Sequence, residues 1–185
     1  MNILIVCHAN RCRSPFTAAL LRQYLPTDYE IASAGVGIVA GGLFGSGSKA
    51  TRPTRDIARA LDLDLEGHRS QAVSPALIEW SEMIVYMDRS NKTRLERMAT
   101  TKCKVVSLAS YATPPQNRIP DPGYVNRFNP EFMEIMALIV RATHGLATYL
   151  AHQQGKSVSL TLADTRNNSF VPQLDEFNAY LRETV

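Results

Sequence analysis

Hydrophobic and polar residues follow two alternating patterns along most of the chain. Short apolar runs without polar interruption are typical of strands that are buried on both faces of a parallel sheet. Between these runs, apolar residues recur at the three- and four-residue spacing of a helix. The predicted strands are residues 2–6, 29–36, 81–87 and 103–111, and the predicted helices are residues 16–25, 54–65, 89–99 and 131–154. This alternation predicts an α/β fold, a small doubly wound parallel four-stranded sheet flanked by helices.

The pattern changes near the C-terminus. Residues 156–164 alternate between polar and apolar positions and predict an extra strand, and residues 173–185 carry apolar side chains at helical spacing. We therefore expect a main domain over residues 1–154 and a C-terminal extension over residues 155–185 that packs on the same domain.

Composition and charge narrow the class of protein. The 185 residues are 45% hydrophobic and 20% charged, which is ordinary for a globular protein, and the net charge of +3 is too small to indicate a nucleic-acid partner. No apolar run approaches the roughly 18 residues that span a bilayer, and the N-terminus lacks the basic segment of a signal peptide, so we expect no membrane insertion. Three cysteines do not indicate a disulfide scaffold, and this favours a cytoplasmic location.

The candidate chemistry lies where the first predicted strand meets the first predicted helix. Cys7 and Arg13 enclose five residues there, and Ser14 followed by Pro15 is a helix start in which the hydroxyl caps the helix. Loops at the carboxyl ends of parallel strands bind ligands, and their backbone amides favour an anion. A cysteine held there as a thiolate is a nucleophile for phosphoryl transfer, and an arginine binds phosphate oxygens bidentately. The spacing alone leaves open the alternative of a small buried cysteine without chemistry.

Five short motifs occur in the order found in one known enzyme family. They are "VCHANRCRSP" at residues 6–15, "SAG" at 33–35, "GHRSQ" at 67–71, "MDRSN" at 87–91 and "IPDPGY" at 119–124. With these motifs the chain resembles the low-molecular-weight protein-tyrosine phosphatases. The resemblance implies hydrolysis of phosphotyrosine monoesters in proteins through a cysteinyl-phosphate intermediate. The implied partner is a phosphotyrosine-containing protein, with a tyrosine kinase among the candidates.

The resemblance also assigns roles to individual residues. Cys7 resembles the nucleophile, Arg13 the residue that binds the phosphoryl oxygens, and Asp121 the general acid that protonates the leaving phenol oxygen. The expected phosphate-binding loop comprises His8, Ala9, Asn10, Arg11, Cys12, Arg13 and Ser14. The expected support for that loop comprises Asn10, Ser14, Ser33 and His68. No metal and no cofactor is implied, because backbone amides and an arginine supply the positive field.

The chain departs from the family pattern around the cleft. The family often has a second aromatic residue directly after Asp-Pro, whereas this chain has Gly123 followed by Tyr124. We expect Phe44 and Tyr124 to form the wall of the cleft. Arg11 occupies a position that is commonly apolar in the family, and it adds positive charge beside the mouth of the site.

Two other functions use a similar loop, and the cysteines bear on both. Arsenate reduction needs a relay of further cysteines, and outside the loop the chain has only Cys103 unless an external thiol substitutes. A non-catalytic phosphate-binding module would not need Cys7 together with Asp121. The position of Cys12 also raises the hypothesis that a disulfide with Cys7 protects the nucleophile from irreversible oxidation.

Overall fold

Four parallel strands form the centre of the protein. The computed structural model describes residues 1–38, 46–98, 102–123 and 130–155. The strands are β1 (Asn2–Cys7), β2 (Glu30–Gly35), β3 (Met83–Tyr86) and β4 (Lys104–Ser107), and they lie in the order β2-β1-β3-β4. Every neighbouring pair is parallel. The chain adds β2 on one side of β1 and later adds β3 on the other side. The reversal of direction therefore falls at the carboxyl end of β1, where sheets of this kind bind ligands.

Helices cover both faces of this sheet. They are α1 (Arg13–Tyr24), α2 (Arg52–Ala60), α3 (Pro75–Trp80), α4 (Arg89–Met98) and α5 (Pro130–Gln153). Side chains alternate along a strand, so neighbouring residues of β1 enter different cores. Ile3 and Ile5 pack with α1, α2 and α5, whereas Leu4 and Val6 pack with α3 and α4. The predicted α/β fold with a doubly wound four-stranded parallel sheet is therefore confirmed.

The second helix is shorter than its apolar pattern predicts. The pattern continues to residue 65, but α2 ends at Ala60. Asp62 adopts a φ of 56°, in the left-handed region, and this reverses the chain. The N–H of Leu63 then donates to the carbonyl of Ala58 at 2.8 Å, which satisfies one of the last carbonyls of the helix.

Two further differences concern short elements. The fourth strand ends at Ser107, and Leu108–Tyr111 form a 3-10 turn where the sequence predicts more strand. The hydroxyl of Ser110 donates to the carbonyl of Ser107 at 2.8 Å, which favours a turn over a sheet ladder. Helix α3 is not predicted at all, because six residues are too few to show a helical period.

The predicted C-terminal strand over residues 156–164 and helix over residues 173–185 lie outside the described residues. The division at residue 155 therefore stays a prediction. No helix in the described ranges has both the length and the apolar character needed to cross a bilayer.

Candidate active site

The loop from Cys7 to Ser14 joins the carboxyl end of β1 directly to α1. Cys7 is the last residue of β1 and is only 3% exposed. Within the described part of the chain, the backbone amides of residues 8–14 donate to no protein acceptor. Amides without a protein acceptor are uncommon inside a folded protein, and amides at the start of a helix favour an anion. The loop therefore carries unused hydrogen-bond donors next to the Cys7 thiol.

Asn10 holds this loop in its bent shape. Its φ of 51° lies in the left-handed region, which asparagine tolerates better than most residues. Its Nδ2 donates to the hydroxyls of Ser14 (3.0 Å) and Ser33 (2.9 Å), and its Oδ1 accepts from the backbone N–H of Gln71 at 3.0 Å. The Nε2 of His68 lies 2.8 Å from the Asn10 carbonyl oxygen. The structure thus brings together the four expected supporting residues and adds Gln71 to them.

The Ser14 hydroxyl contacts the thiol and does not cap the helix. The prediction of a Ser14 cap is wrong, because α1 begins at Arg13 and Ser14 already lies inside its first turn. Ser14 Oγ is 3.0 Å from Cys7 Sγ, and it accepts a hydrogen bond from Asn10. Since Asn10 occupies a lone pair of that oxygen, the hydroxyl hydrogen is available to the sulfur. Such a bond stabilises a negative charge on Cys7.

The guanidinium of Arg13 is buried, with 2% exposure, and is bonded through both of its terminal nitrogens. Its Nη1 donates to Oδ2 of Asp88 at 2.6 Å and to the carbonyl of Ile119 at 3.2 Å. Its Nη2 donates to the carboxylate of Asp121. Burial by itself lowers the pKa of this guanidinium, but the charges of Cys7 and Asp121 and the bond to Asp88 raise it above its usual value. The positive charge is therefore permanent and fixed in place.

The two carboxylates that pair with Arg13 differ in their exposure to solvent. Asp121 is 51% exposed, whereas Asp88 is 14% exposed. Burial by itself raises the pKa of Asp88, but hydrogen bonds from Ser90, from Arg13 and from the backbone of Asn91 lower it below its usual range. Asp88 is thus a permanent negative partner of Arg13, while Asp121 is open to solvent and to a substrate.

The second cysteine of the loop, Cys12, is not suited to act as a nucleophile. Burial raises the pKa of Cys12 to about 12, although a hydrogen bond with Thr54 acts in the other direction. Cys12 therefore stays a protonated thiol at neutral pH. Cys7 and Cys12 are both free cysteines in the structure, and the disulfide between them stays a prediction.

The rim of the loop is tied to neighbouring segments through its carbonyls. The remaining loop residues predicted to bind phosphate are His8, Ala9 and Arg11. The carbonyl of His8 accepts from the N–H of Gly37 at 2.9 Å, and the carbonyl of Arg11 accepts from the N–H of Thr51 at 2.8 Å. The Nε of Arg11 donates to the carbonyl of Lys49 at 3.1 Å. These bonds fix the loop to the segment that follows β2 and to the segment that precedes α2.

The predicted wall of the cleft, Phe44 and Tyr124, lies outside the described residues. The described residues that precede Tyr124 end at Gly123, whose N–H donates to Oδ1 of Asp121 at 3.0 Å. Across the ranges that the structure describes, no group of three or more His, Cys, Asp or Glu side chains is placed to hold a metal ion.

Two polar contacts of the site are not specified by the sequence. It places Asp88 in a structural role with hydrogen bonds near the site but does not name Arg13 as its partner. It does not predict the bond from Gln71 to Asn10. A signal for Asp88 exists in the pattern: it directly follows the predicted strand at residues 81–87, and polar residues that follow parallel strands meet at one edge of the sheet. The signal for Gln71 is its place in the motif "GHRSQ", which does not name its partner. Gln71 reaches the loop because the next residue, Ala72, forms a β-bridge with Gly35 and so places this segment beside β2.

Comparison with known proteins agrees with this geometry. The family model described as low molecular weight phosphotyrosine protein phosphatase matches residues 2–156. The low molecular weight protein-tyrosine-phosphatase Wzb of Escherichia coli K12 is 32% identical over 155 residues, which are 83% of this chain and 97% of that protein. A protein-arginine-phosphatase of Geobacillus stearothermophilus is 30% identical over 149 residues, which are 79% of this chain and 96% of that protein. The solved structure of the tyrosine phosphatase Wzb from Escherichia coli K30 in complex with sulphate superposes with a TM-score of 0.70, at 28% identity, over 80% of this chain and 97% of that one.

These matches confirm the family that the five motifs indicate and the expectation of an enzyme of the phosphatase type. They extend over the sheet, the helices and the loop that carries Cys7 and Arg13. The chain therefore belongs to the low molecular weight phosphotyrosine protein phosphatase family.

Proposed function

We propose that the protein hydrolyses phosphotyrosine in proteins through a phosphorylated cysteine. The Cys7 thiolate attacks phosphorus, a sulfur–phosphorus bond forms and the bond from phosphorus to the phenol oxygen breaks. Asp121 gives its proton to the leaving oxygen. Water then attacks the cysteinyl-phosphate with Asp121 as base, which releases inorganic phosphate and regenerates the thiolate. The observation that carries this proposal is the buried Cys7 thiol beside the unused amides of residues 8–14 and the fixed charge of Arg13.

The hydrogen bonds of Arg13 indicate different roles for its two terminal nitrogens. Asp88 and the Ile119 carbonyl both accept from Nη1, which anchors the guanidinium. The nitrogen that bonds Asp121 is Nη2. A phosphoryl group that binds the guanidinium takes over this second nitrogen, because both Asp121 and phosphate are anions that accept from it. Substrate binding then frees the Asp121 carboxyl to face the leaving oxygen.

Relatives of two kinds, tyrosine and arginine phosphatases, match this chain with similar identity, so the substrate must be argued from the site. Arg11 stands on the rim of the loop, where its Nε is held by the Lys49 carbonyl. Release of phosphate from phosphoarginine leaves a cationic guanidinium beside that positive charge, and like charges repel. Release from phosphotyrosine leaves a neutral phenol once Asp121 has given its proton. The charge on the rim therefore favours phosphotyrosine.

The position of Cys103 argues against reduction chemistry within the chain. Cys103 directly precedes β4 and packs against the core formed by α3 and α4. It therefore lies at the amino edge of the sheet, whereas Cys7 ends β1 at the carboxyl edge. The four residues of β4 span about 13 Å, which is far beyond the reach of a thiol relay. A reductase built on this loop would depend on an external thiol.

Matched cysteine variants test the proposal. Wild type is expected to release phosphate from a phosphotyrosine peptide and to carry phosphate on Cys7 when the reaction is stopped rapidly with denaturant. Cys7→Ser is expected to lower kcat at least about 10³-fold. Cys12→Ser changes a sulfur of the same loop, keeps its backbone amide and is expected to form the intermediate. Asp121→Asn is expected to lower kcat about 10²- to 10⁴-fold.

Three results would change the proposal. Turnover that survives in Cys7→Ser excludes the covalent step. A larger kcat/KM for a phosphoarginine peptide than for its phosphotyrosine counterpart replaces the substrate. Phosphate binding by wild type without any turnover leaves a binding module. The tyrosine kinase as partner and the cytoplasmic location stay predictions.

A further inference from the structure

One face of α4 is covered with arginines. Arg89, Arg94 and Arg97 line a shallow pocket of about 450 Å³ together with the hydroxyl-bearing residues Ser90 and Thr93. The opposite face of the same helix carries Asn91 and Leu95, which are buried. We call the face formed by Arg89, Thr93, Arg94 and Arg97 the α4 basic surface.

The three arginines of the α4 basic surface lack acidic partners. Among the described residues, no ion pair or side-chain hydrogen bond involves Arg89, Arg94 or Arg97. The nearby acids are already engaged: Glu96 pairs with Lys92 at 3.5 Å on the flank of the helix, and Asp88 pairs with Arg13. Three like charges on one helix face repel one another, and they gain free energy when an anionic partner neutralises them.

The α4 basic surface starts at the candidate active site and leads away from it. Asp88 accepts from the backbone N–H of Asn91 through Oδ1 at 3.0 Å, and from Arg13 through Oδ2 at 2.6 Å. One carboxylate therefore joins the first turn of α4 to the guanidinium at the phosphate site. The ten residues of α4 are about 15 Å long, and an extended peptide covers that distance in about five residues.

We propose that the α4 basic surface binds aspartate and glutamate side chains of the protein substrate, within about five residues of the phosphorylated residue. This inference rests on the proposed function, since the bound phosphorylated residue fixes which flanking residues of the substrate lie along α4. Guanidinium groups suit the task because their planar forks match carboxylates and stay charged. The phosphoryl group binds at Arg13, and the flanking acidic residues lie along α4. The surface thereby adds a preference for acidic sequences to the recognition of the phosphate.

The test compares two phosphotyrosine peptides of one sequence, the first with Asp and Glu on one flank and the second with Asn and Gln at the same positions. For wild type, kcat/KM is expected to be about tenfold higher for the acidic peptide, the sum of three exposed ion pairs, and this ratio should fall as salt is added. The triple variant Arg89→Gln/Arg94→Gln/Arg97→Gln is expected to bring the ratio close to one. Glutamine is a good helix former, and circular dichroism checks that α4 is retained.

The ratio of the two peptides cancels any general loss of activity in the variant. Lys92→Gln is the matched control, because Lys92 is on α4 but is paired with Glu96, and it is expected to keep the preference of wild type. Turnover of neither peptide by wild type defeats the proposed function itself. Equal turnover of both peptides by wild type overturns only the role of the α4 basic surface. If the triple variant keeps the preference for the acidic peptide, the role of the α4 basic surface is also overturned, and the preference is assigned to Arg11.

Discussion

Replacement of Asp88 by asparagine tests how far the phosphate site depends on one positioning carboxylate. Asp88 Oδ2 lies 2.6 Å from Arg13 Nη1, and the two side chains are 14% and 2% exposed. Asparagine keeps the shape and caps a helix about as well as aspartate does, so the bonds from Ser90 and Asn91 can be kept. The amide nitrogen then faces Arg13, and two donors meet where a charged bond stood.

The cost follows from the type of bond that is lost. A hydrogen bond between charged groups contributes about 1.5–3 kcal/mol, and the loss of one partner of a fully buried pair costs about 3–5 kcal/mol. Arg13 keeps the Ile119 carbonyl and the Asp121 carboxylate, so the loss belongs to the lower range. We expect Asp88→Asn to lower the free energy of unfolding by about 2 kcal/mol. We also expect kcat/KM for p-nitrophenyl phosphate to fall about 10- to 100-fold, because Arg13 is no longer held in place.

The difference between wild type and Asp88→Asn should depend on pH in a defined direction. The pKa of Asp88 is lowered in the folded protein, since its hydrogen bonds outweigh the effect of burial. A lowered pKa stabilises the fold above the unfolded-state value of about 3.9 and ceases to do so as the pH falls through the folded-state value. Urea unfolding followed by circular dichroism should therefore show the full difference at pH 7 and a smaller one below about pH 4.

Ser90→Ala is the control for the helix cap. It removes a donor to Oδ1 of Asp88 and leaves the bond to Arg13 intact, so it is expected to cost less than about 1 kcal/mol. The reasoning about Asp88 is refuted if Asp88→Asn is as stable as wild type at pH 7. It is equally refuted if the difference between them is the same at pH 7 and pH 3.

Three further predictions concern packing, thiol chemistry and the shape of the loop. Gly145→Ala places a Cβ against the backbone of the 3-10 turn, and it should lower the free energy of unfolding, measured in urea, by about 1–3 kcal/mol. Gly67→Ala is the control and should not lower it, because a Cβ at that position meets nothing within 4 Å. Iodoacetamide at neutral pH should label Cys7 and spare Cys12, whose pKa of about 12 keeps it protonated; peptide mass spectrometry decides, and label on Cys12 alone would contradict the prediction. Asn10→Ala should be about 1 kcal/mol less stable than Asn10→Gly in thermal unfolding, because both lose the hydrogen bonds but only alanine is strained at a φ of 51°; equal stabilities would count against that strain.

The sequence predicts those features of the site that depend on local chain order. Cys7 and Arg13 belong to one loop between adjacent elements, so a strand pattern followed by a helix pattern suffices to place them together. The role of Asp88 depends on the position of β3 beside β1, and the order of strands in a sheet is set by packing across the whole domain.

The incorrect predictions share one physical cause, which is competition between side chains and backbone at the ends of elements. The motif Ser-Pro is a common helix start with Pro15 as the first helical residue, yet here α1 begins two residues earlier, at Arg13. The Ser14 hydroxyl bonds to a thiol and an amide. Ser110 bonds to the backbone and helps form a turn where the sequence predicts more strand. Asp62 takes a left-handed conformation that its apolar neighbours do not predict. Periodicity reports which face is buried, and it does not report where such bonds end an element.

The geometry around Arg13 explains why fold and chemistry are coupled in this protein. Arg13 is the first residue of α1, whereas the partners of its guanidinium come from the segment that follows β3 and from the segment that follows β4. These two segments are also joined to each other, because the N–H of Ile119 donates to the carbonyl of Met87 at 2.8 Å. A shift of either segment therefore moves a partner of Arg13 and, through Asp88, the start of α4. Because the Asp88 carboxylate bonds both Arg13 and the backbone of Asn91, it sets the distance between the phosphate site and the start of the α4 basic surface, as a preference for acidic residues at defined positions requires.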